Sequence, residues 1–246
     1  MLRTCLQITA TRLLLLILCM PASALAQLDL DSWDTLLKEA VDNGHVDYRQ
    51  WADSPRFDAL VQQIEITDVS GMTRGEKLVF YINAYNILAA RGILDGSSPD
   101  SLLGRHFYFK RDKYSVAGDR ISLHALEHER IRPLGEPRIH FAIVCASQSC
   151  PILQSHAYTL ERLEQQLDAA ARQFINDERR NRFDVEARRA DLSSIFKWFE
   201  EDFIDAAGSL QAYVARYVDG ESAALLREGA FSVKYLDYDW NLNGEL

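Results

Sequence analysis

The sequence predicts an α+β protein, a single domain in which several helices pack on a small mixed or antiparallel sheet. Three observations carry this. Trp33, Leu36, Leu37, Ala40 and Val41 recur at the spacing of one helical face. From Leu78 to Ala90 every residue is apolar or aromatic except Asn83 and Asn86, the signature of a helix buried on all sides. Short extended segments lie between such helices, with no repeat and no linker long enough to divide the chain.

The first 26 residues read as a leader. Arg3 and Arg12 precede the apolar run Leu13–Met20, and Ala24-Leu25-Ala26 forms a cleavage site, so the folded domain is expected over 27–246. The run is shorter than the ~20 apolar residues that span a bilayer as a helix. The expected location is therefore periplasmic or secreted, without stable membrane insertion after cleavage. Removing two of the 27 basic residues and none of the 36 acidic ones moves the formal charge from -9 to -11. That acidity argues against nucleic acid or an anionic membrane as the main partner. Of the four cysteines, Cys5 and Cys19 fall in the leader, leaving Cys145 and Cys150. In an oxidising compartment two cysteines five apart tend to pair with each other.

The first helix is expected from about Asp31 to Asn43, capped by Asp31 or Ser32 and ended by Asn43-Gly44. Val46-Asp47-Tyr48 reads as extended. Ser54-Pro55 opens a helix carrying Phe57, Leu60, Val61 and Ile64. Thr73-Arg74-Gly75-Glu76 is a capping box for the apolar helix, expected over 77–92. Asn83 and Asn86, three apart, share one face of it. A buried amide without a partner costs roughly 1–3 kcal/mol judged from mutations, so both need one. The residues Phe107-Tyr108-Phe109 and 114–118 read as strands, and Ile121–Ile131 as a helix ended by Arg132-Pro133. Phe141–Val144, rich in β-branched residues and too short for a helix, reads as a buried strand that delivers Cys145 to the turn Ala146-Ser147-Gln148-Ser149-Cys150-Pro151. An amphipathic helix is expected over 159–176, then a solvated charged turn over 177–182. Strands follow at 183–185 and 190–192, a turn or short helix at 195–203, a helix at 210–218 and a closing strand at 231–240.

Two kinds of chemistry fit these residues. A thiol nucleophile needs a thiolate, a base within hydrogen-bond reach and a group that orients the base. Cys145 is the nucleophile of that reading, with His140 or His128 as base. On a regular strand His140 and Cys145 would face opposite sides ~16 Å apart, so the chain must bend for that pair to work. Alternatively, His124-Ala125-Leu126-Glu127-His128 matches the inverted zinc-protease pattern, with the two His at i and i+4 and Glu127 as base. Its third ligand would come from a carboxylate such as Glu161 or Glu164. A third possibility is a structural Cys145–Cys150 disulfide, in a binding or scaffold module without catalysis.

Several pieces together resemble one family, the domain-of-unknown-function family numbered 547. They are Val46-Asp47-Tyr48, Phe80-Tyr81-Ile82-Asn83-Ala84-Tyr85-Asn86, Leu126-Glu127-His128 with Arg132, and His140–Ser147 with Ser149-Cys150-Pro151. Ile195-Phe196-Lys197-Trp198 with Asp202-Phe203, and Tyr238–Asn243, complete the set. The family pattern keeps a Glu-His pair at Glu127-His128 but asks for no His at 124, which weighs against zinc. The resemblance implies one constellation of Asn83, Asn86, Glu127, His128, Arg132, His140, Cys145 and Cys150. By analogy this is a thiol hydrolase or transferase site. Cys145, His140, His128, Glu127 and Asn83 would be catalytic, with Glu127 or Asn83 as orienter, and Arg132 and Asn86 would meet a small-molecule or peptide substrate. This reading calls for no metal and no cofactor.

Overall fold

A computed structural model describes residues 27–246, so the expected leader lies outside the described residues. The centre of the fold is the helix α4, and everything before it serves to cover it. Helix α1 (Leu30–Ala40) is capped by Asp29, whose carboxylate accepts from the Ser32 N–H at 3.0 Å. The next residues form a hairpin of β1 (Val41–Asp42) and β2 (His45–Asp47), turning through Asn43 and Gly44 at positive φ. Gly44 is required there twice over, because a side chain would be strained by φ +84° and its Cβ would collide with Ile152. Helix α2 (Arg49–Ala52) is a single turn, and α3 (Pro55–Ile66) starts with Ser54 as cap and Pro55 at its first position. Trp33, Trp51 and Phe57 seal this layer, with Trp51 stacked on Phe57 at 5.6 Å.

Helix α4 (Arg74–Leu94) begins with the capping box that the sequence predicts: the Thr73 hydroxyl accepts from Glu76 N–H, and the Glu76 carboxylate accepts from Thr73 N–H at 2.7 Å. Its residues from Leu78 to Ala90 are all buried. Each large aliphatic side chain buried this way contributes about 1.5–3 kcal/mol, so the apolar surface fixes the helix inside.

The predicted strand Phe107-Tyr108-Phe109 is not one. Helix α5 (Leu102–His106) runs on into a π-helical turn, Phe107–Arg111. Its aromatic residues pack as a helical surface, with Tyr108 buried and donating to the Ala89 carbonyl at 3.0 Å. The hairpin follows instead as β3 (Tyr114–Val116) and β4 (Asp119–Ile121), turning through Ala117-Gly118. Helix α6 (Leu123–Leu126), capped by Ser122, passes into a second π-helical turn, Glu127–Ile131. Such turns are rare and recur at functional sites.

The predicted central strand Phe141–Val144 is also absent. Pro137–Phe141 forms a 3-10 helix, and Ala142 continues in the right-handed helical region. The β-branched run is buried, as the sequence requires, but it crosses the face of α4 as irregular backbone. Its hydrogen bonds go to the Ile139 carbonyl and to a side chain of that helix rather than to a strand.

Helix α7 (Leu163–Ile175), preceded by the 3-10 turn Leu160–Arg162, packs a second core. There Phe141, Phe174, Phe196, Phe203 and Tyr213 cluster with ring centroids 4.7–6.5 Å apart. The strands β5 (Arg182–Asp184) and β6 (Arg189–Leu192) pair antiparallel, and β7 (Ser232–Tyr235) joins β6 in parallel. Between them lie α8 (Ser194–Trp198), α9 (Glu200–Ala207), α10 (Leu210–Val214) and α11 (Gly220–Arg227); the sequence gives no expectation for the last. The predicted closing strand is confined to β7, and β8 (Gly244–Glu245) adds in parallel to β2. The α+β class holds, but the strands of the described residues divide into three small sheets, so the helices pack around α4 rather than on one platform.

Asn83 explains part of this packing. Its amide donates to the Tyr158 carbonyl at 2.9 Å, and its oxygen accepts from the Tyr158 N–H at 3.1 Å. It pins the segment entering α7 and touches no Cys or His, so the expected catalytic contact is replaced by a structural one. Asn83→Leu should therefore destabilise the protein by about 2–3 kcal/mol in urea unfolding, because it leaves two buried backbone groups unpaired. Thiol reactivity per folded molecule should be unchanged.

Candidate functional site

The segment carrying the two cysteines is held from three directions. Asn86 of α4 acts as its strand partner: the side-chain amide donates to the Ala142 carbonyl at 3.0 Å and its oxygen accepts from Val144 N–H at 2.8 Å. Asn86 does not line the cavity described below, so its expected substrate contact is corrected to a positioning one. After Cys145 the chain turns through Ala146 at φ +58°, a left-handed conformation that costs an L-residue roughly 1–2 kcal/mol. Such strain clusters where a side chain must be presented. The turn is then tied to the C-terminal segment, with Gln148 N–H donating to the Asn241 carbonyl and Asn243 N–H to the Ala146 carbonyl. From behind, the Arg180 guanidinium donates to the Cys150 and Gln148 carbonyls at 2.6–3.0 Å, while pairing with Asp177. The charged turn 177–182, expected to be solvated, thus contains a buried clamp.

Cys145 faces a cavity of about 440 Å³. Glu127 and His128 line it from the second π-turn, and Phe109 and Lys110 from the first. His140, Phe199, Trp198, Tyr238 and Trp240 add to its walls, as do Cys150, His124, Tyr85, Ile143, Pro151 and Ile195, with Arg105 and His106 also lining it. The Cys145 sulfur touches Cys150 Sγ at 2.7 Å, Ser147 Oγ at 3.1 Å and Tyr238 Oη at 3.2 Å; no imidazole is among its partners. Both cysteines are free thiols, so the expected disulfide is not formed in the structure.

The two thiols differ in character. Burial pushes the Cys145 thiol up, but Cys150, Ser147 and Tyr238 around its sulfur outweigh burial and hold it below its ordinary value. Burial, reinforced by the charge on Cys145, raises Cys150 well above the ordinary range. Burial and the neighbouring cysteines raise Tyr238 likewise, so its hydroxyl keeps its proton and remains a donor.

The histidines are held separately. His140 has a fully buried side chain, stacked on Phe199 with ring centroids 3.9 Å apart. Its Nε2 bonds the Asp202 carboxylate at 2.7 Å, and its Nδ1 is buried without a hydrogen bond, facing Glu127 Oε1 at 3.6 Å. The bend that would bring His140 to Cys145 does exist, yet the ring is committed elsewhere. Arg132, expected to meet substrate charge, instead grips Asp202 through two bonds of 2.8 and 2.7 Å and does not line the cavity. Burial pushes the Asp202 carboxyl up, but the bonds from Arg132 and His140 outweigh it and hold the group far below the usual carboxylate range. His128 Nδ1 bonds the His124 carbonyl at 3.0 Å. A carbonyl only accepts, so Nδ1 carries the proton and Nε2 is free to accept one.

His124 and His128 lie with ring centroids 4.0 Å apart, but the carboxylate expected to complete a zinc site is elsewhere. Glu164 pairs with Arg138 at 2.6 Å, and no group of three or more His, Cys, Asp or Glu among the described residues is placed to hold a metal ion.

The fold is α+β, and it presents the Cys145 thiol on a cavity wall. Residues 69–175 match the family model described as "Protein of unknown function, DUF547", the family that the sequence motifs resemble. The matched stretch contains Asn86, Glu127, His128, His140, Cys145 and Cys150, while Asp202, Tyr238 and Trp240 lie beyond it. No curated protein and no solved structure matches the chain.

Asp202, Tyr238 and Trp240 stand in motifs that the sequence analysis singled out without assigning them roles. Arg180 has no sequence signal beyond its place in a charged run. Tyr238→Phe should raise the Cys145 pKa, read as a shift of the pH midpoint of iodoacetamide labelling to higher pH, with the fold retained. Asp202 has its carboxyl depressed on folding. Its contribution to stability is present above the unfolded carboxylate value of roughly 4 and is lost as pH falls through the folded one. Urea titrations of wild type should therefore lose stability below about pH 4, and Asp202→Asn should remove that component of the loss.

Proposed function

We propose that this protein is a thiol-dependent acyl-transfer enzyme, a hydrolase or acyl transferase, acting on a small molecule or peptide. The observation that carries the reading is the Cys145 sulfur: three side-chain partners favour its ionised form on the wall of a cavity that Glu127 and His128 also line. Ionised thiol is the nucleophilic form. Here its stabilisation comes from hydroxyl and thiol donors rather than from an imidazolium.

The thiolate attacks the carbonyl carbon of an ester, thioester or amide, forming a C–S bond while the carbonyl π pair moves to oxygen. The proton that Cys145 releases on ionising reaches His128 Nε2 through solvent in the cavity, and collapse of the intermediate expels the leaving group, which takes that proton from the imidazolium. Neutral His128 then takes a proton at Nε2 from an incoming water or acceptor, oriented by the Glu127 carboxylate. Attack on the acyl carbon breaks the C–S bond and returns the thiolate. His140, fixed by Asp202 and Arg132, supports Glu127 and the Phe199 floor; it is a positioning residue. The leader pattern at residues 1–26 supports action outside the cytoplasm. Among the described residues no helix is long and apolar enough to cross a membrane.

The test is hydrolysis of small aryl esters and thioesters by the purified chain. Cys145→Ala should abolish turnover, and His128→Gln should lower it by roughly 10²-fold or more, the scale of general acid–base catalysis. Equal rates for wild type and Cys145→Ala, with Cys145 alkylated no faster than free cysteine at pH 7, would sink the reading.

A further inference from the structure

A thiol hydrolase needs one cysteine, and this site has two. Cys150 is almost wholly buried, its sulfur 2.7 Å from that of Cys145, and the Cys145 N–H donates to it at 2.8 Å. In acyl transfer this second thiol serves only as one of the donors around the Cys145 sulfur and takes no part in bond making. The loop between them is short, and the buried Arg180 guanidinium holds its carbonyls. The two sulfurs are already close to bonding separation, about 2.05 Å in a disulfide. Both thiols lie at the cavity wall, but Cys145 is the more exposed and Cys150 is 2% exposed, so a substrate meets Cys145 first while Cys150 stays within reach of its neighbour. This is the placing of an attacking and a resolving thiol.

The lining adds a selectivity. On a chain of net charge -9, the cavity's lining carries Arg105 and Lys110, together with His106. Arg105 lies over the Trp240 ring at 4.7 Å, with Trp198 stacked beside it, so the cation is held at the cavity. Glu127, the carboxylate among the residues that line the cavity, is itself largely buried.

The geometry points to a second activity: Cys145 and Cys150 form a dithiol that reduces small disulfides bearing carboxylates and becomes a Cys145–Cys150 disulfide in doing so. This rests on the same reactive Cys145 as the acyl-transfer reading. The Cys145 thiolate attacks one sulfur of the substrate R–S–S–R. The Cys145–S–S–R bond forms, the substrate S–S bond breaks, and one RS⁻ leaves. Cys150 then loses its proton to solvent or to the departing thiolate and attacks the Cys145 sulfur. The intramolecular disulfide forms and the second RS⁻ leaves. The substrate gains two electrons, both supplied by the thiol pair. In its oxidised form the pair has no nucleophile, so acyl transfer stops until an external dithiol restores it.

The experiment is to incubate the fully reduced protein with glutathione disulfide at pH 7 and follow it by intact mass. Wild type should lose two hydrogens and retain no glutathione, whereas Cys150→Ser should accumulate a stable glutathione adduct on Cys145. In Cys150→Ser the hydroxyl takes the place of the sulfur as acceptor for the Cys145 N–H. The wild-type arm decides by itself if that variant fails to fold. A wild-type protein that stops at the glutathione adduct, or does not react, overturns the proposal. Cystamine, the cationic counterpart, should react at least several-fold more slowly relative to its rate with free glutathione, and equal relative rates would overturn the preference for anionic disulfides. Ester hydrolysis by the reduced protein in parallel separates the two readings. Hydrolysis without disulfide exchange removes only the dithiol activity, and exchange without hydrolysis removes only acyl transfer.

Discussion

The side-chain amide of Asn86 decides the form of the site. A buried backbone segment must have its polar groups paired, and the residues before Cys145 have no neighbouring strand. Asn86 supplies one donor and one acceptor from inside α4, matching the Ala142 carbonyl and the Val144 N–H. That allows an apolar stretch to cross the helix without joining a sheet, and it sets the distance of the thiol from the core. The helix holds Asn86 in place because nearly every other side chain around it is apolar and buried.

Seen from that constraint, the site is a meeting of short irregular pieces, each secured by a side chain. Arg180 holds the cysteine turn from behind, the C-terminal segment holds it from the side, and Arg132 with Asp202 fixes the imidazole of His140. Two π-turns bring Glu127, His128, Phe109 and Lys110 to one cavity. The two sulfurs are shifted in opposite directions: Cys150, Ser147 and Tyr238 lower Cys145, while burial and the neighbouring Cys145 raise Cys150.

Much of this was legible in the sequence where local rules act alone. The Thr73 capping box, the Ser54-Pro55 start and the burial of α4 follow from local spacing and composition. Glu127, His128, His140 and Cys145, grouped in the sequence by motif resemblance, line one cavity. What local rules missed was settled by partners far along the chain. The run Phe141–Val144 has the composition of a strand, but strand composition records burial, and burial here is against a helix. Phe107–Phe109 failed for the same reason. Arg132 looked like a ligand for substrate charge because its partner, Asp202, lies 70 residues away. A charged run reads as solvated until something buried needs its hydrogen bonds, as the Cys150 carbonyl needs Arg180.

Tyr238 stands 93 residues beyond the thiol it contacts. During synthesis Cys145 therefore emerges long before the hydroxyl that helps to ionise it, and before the 239–243 segment that closes its turn. A nascent chain carries an ordinary, mostly protonated thiol, and reactivity arrives only with completion of the fold. For the thiol chemistry proposed above, the order in which the ribosome delivers these residues acts as a safeguard, leaving Cys145 without its hydroxyl partner while the chain is still being made.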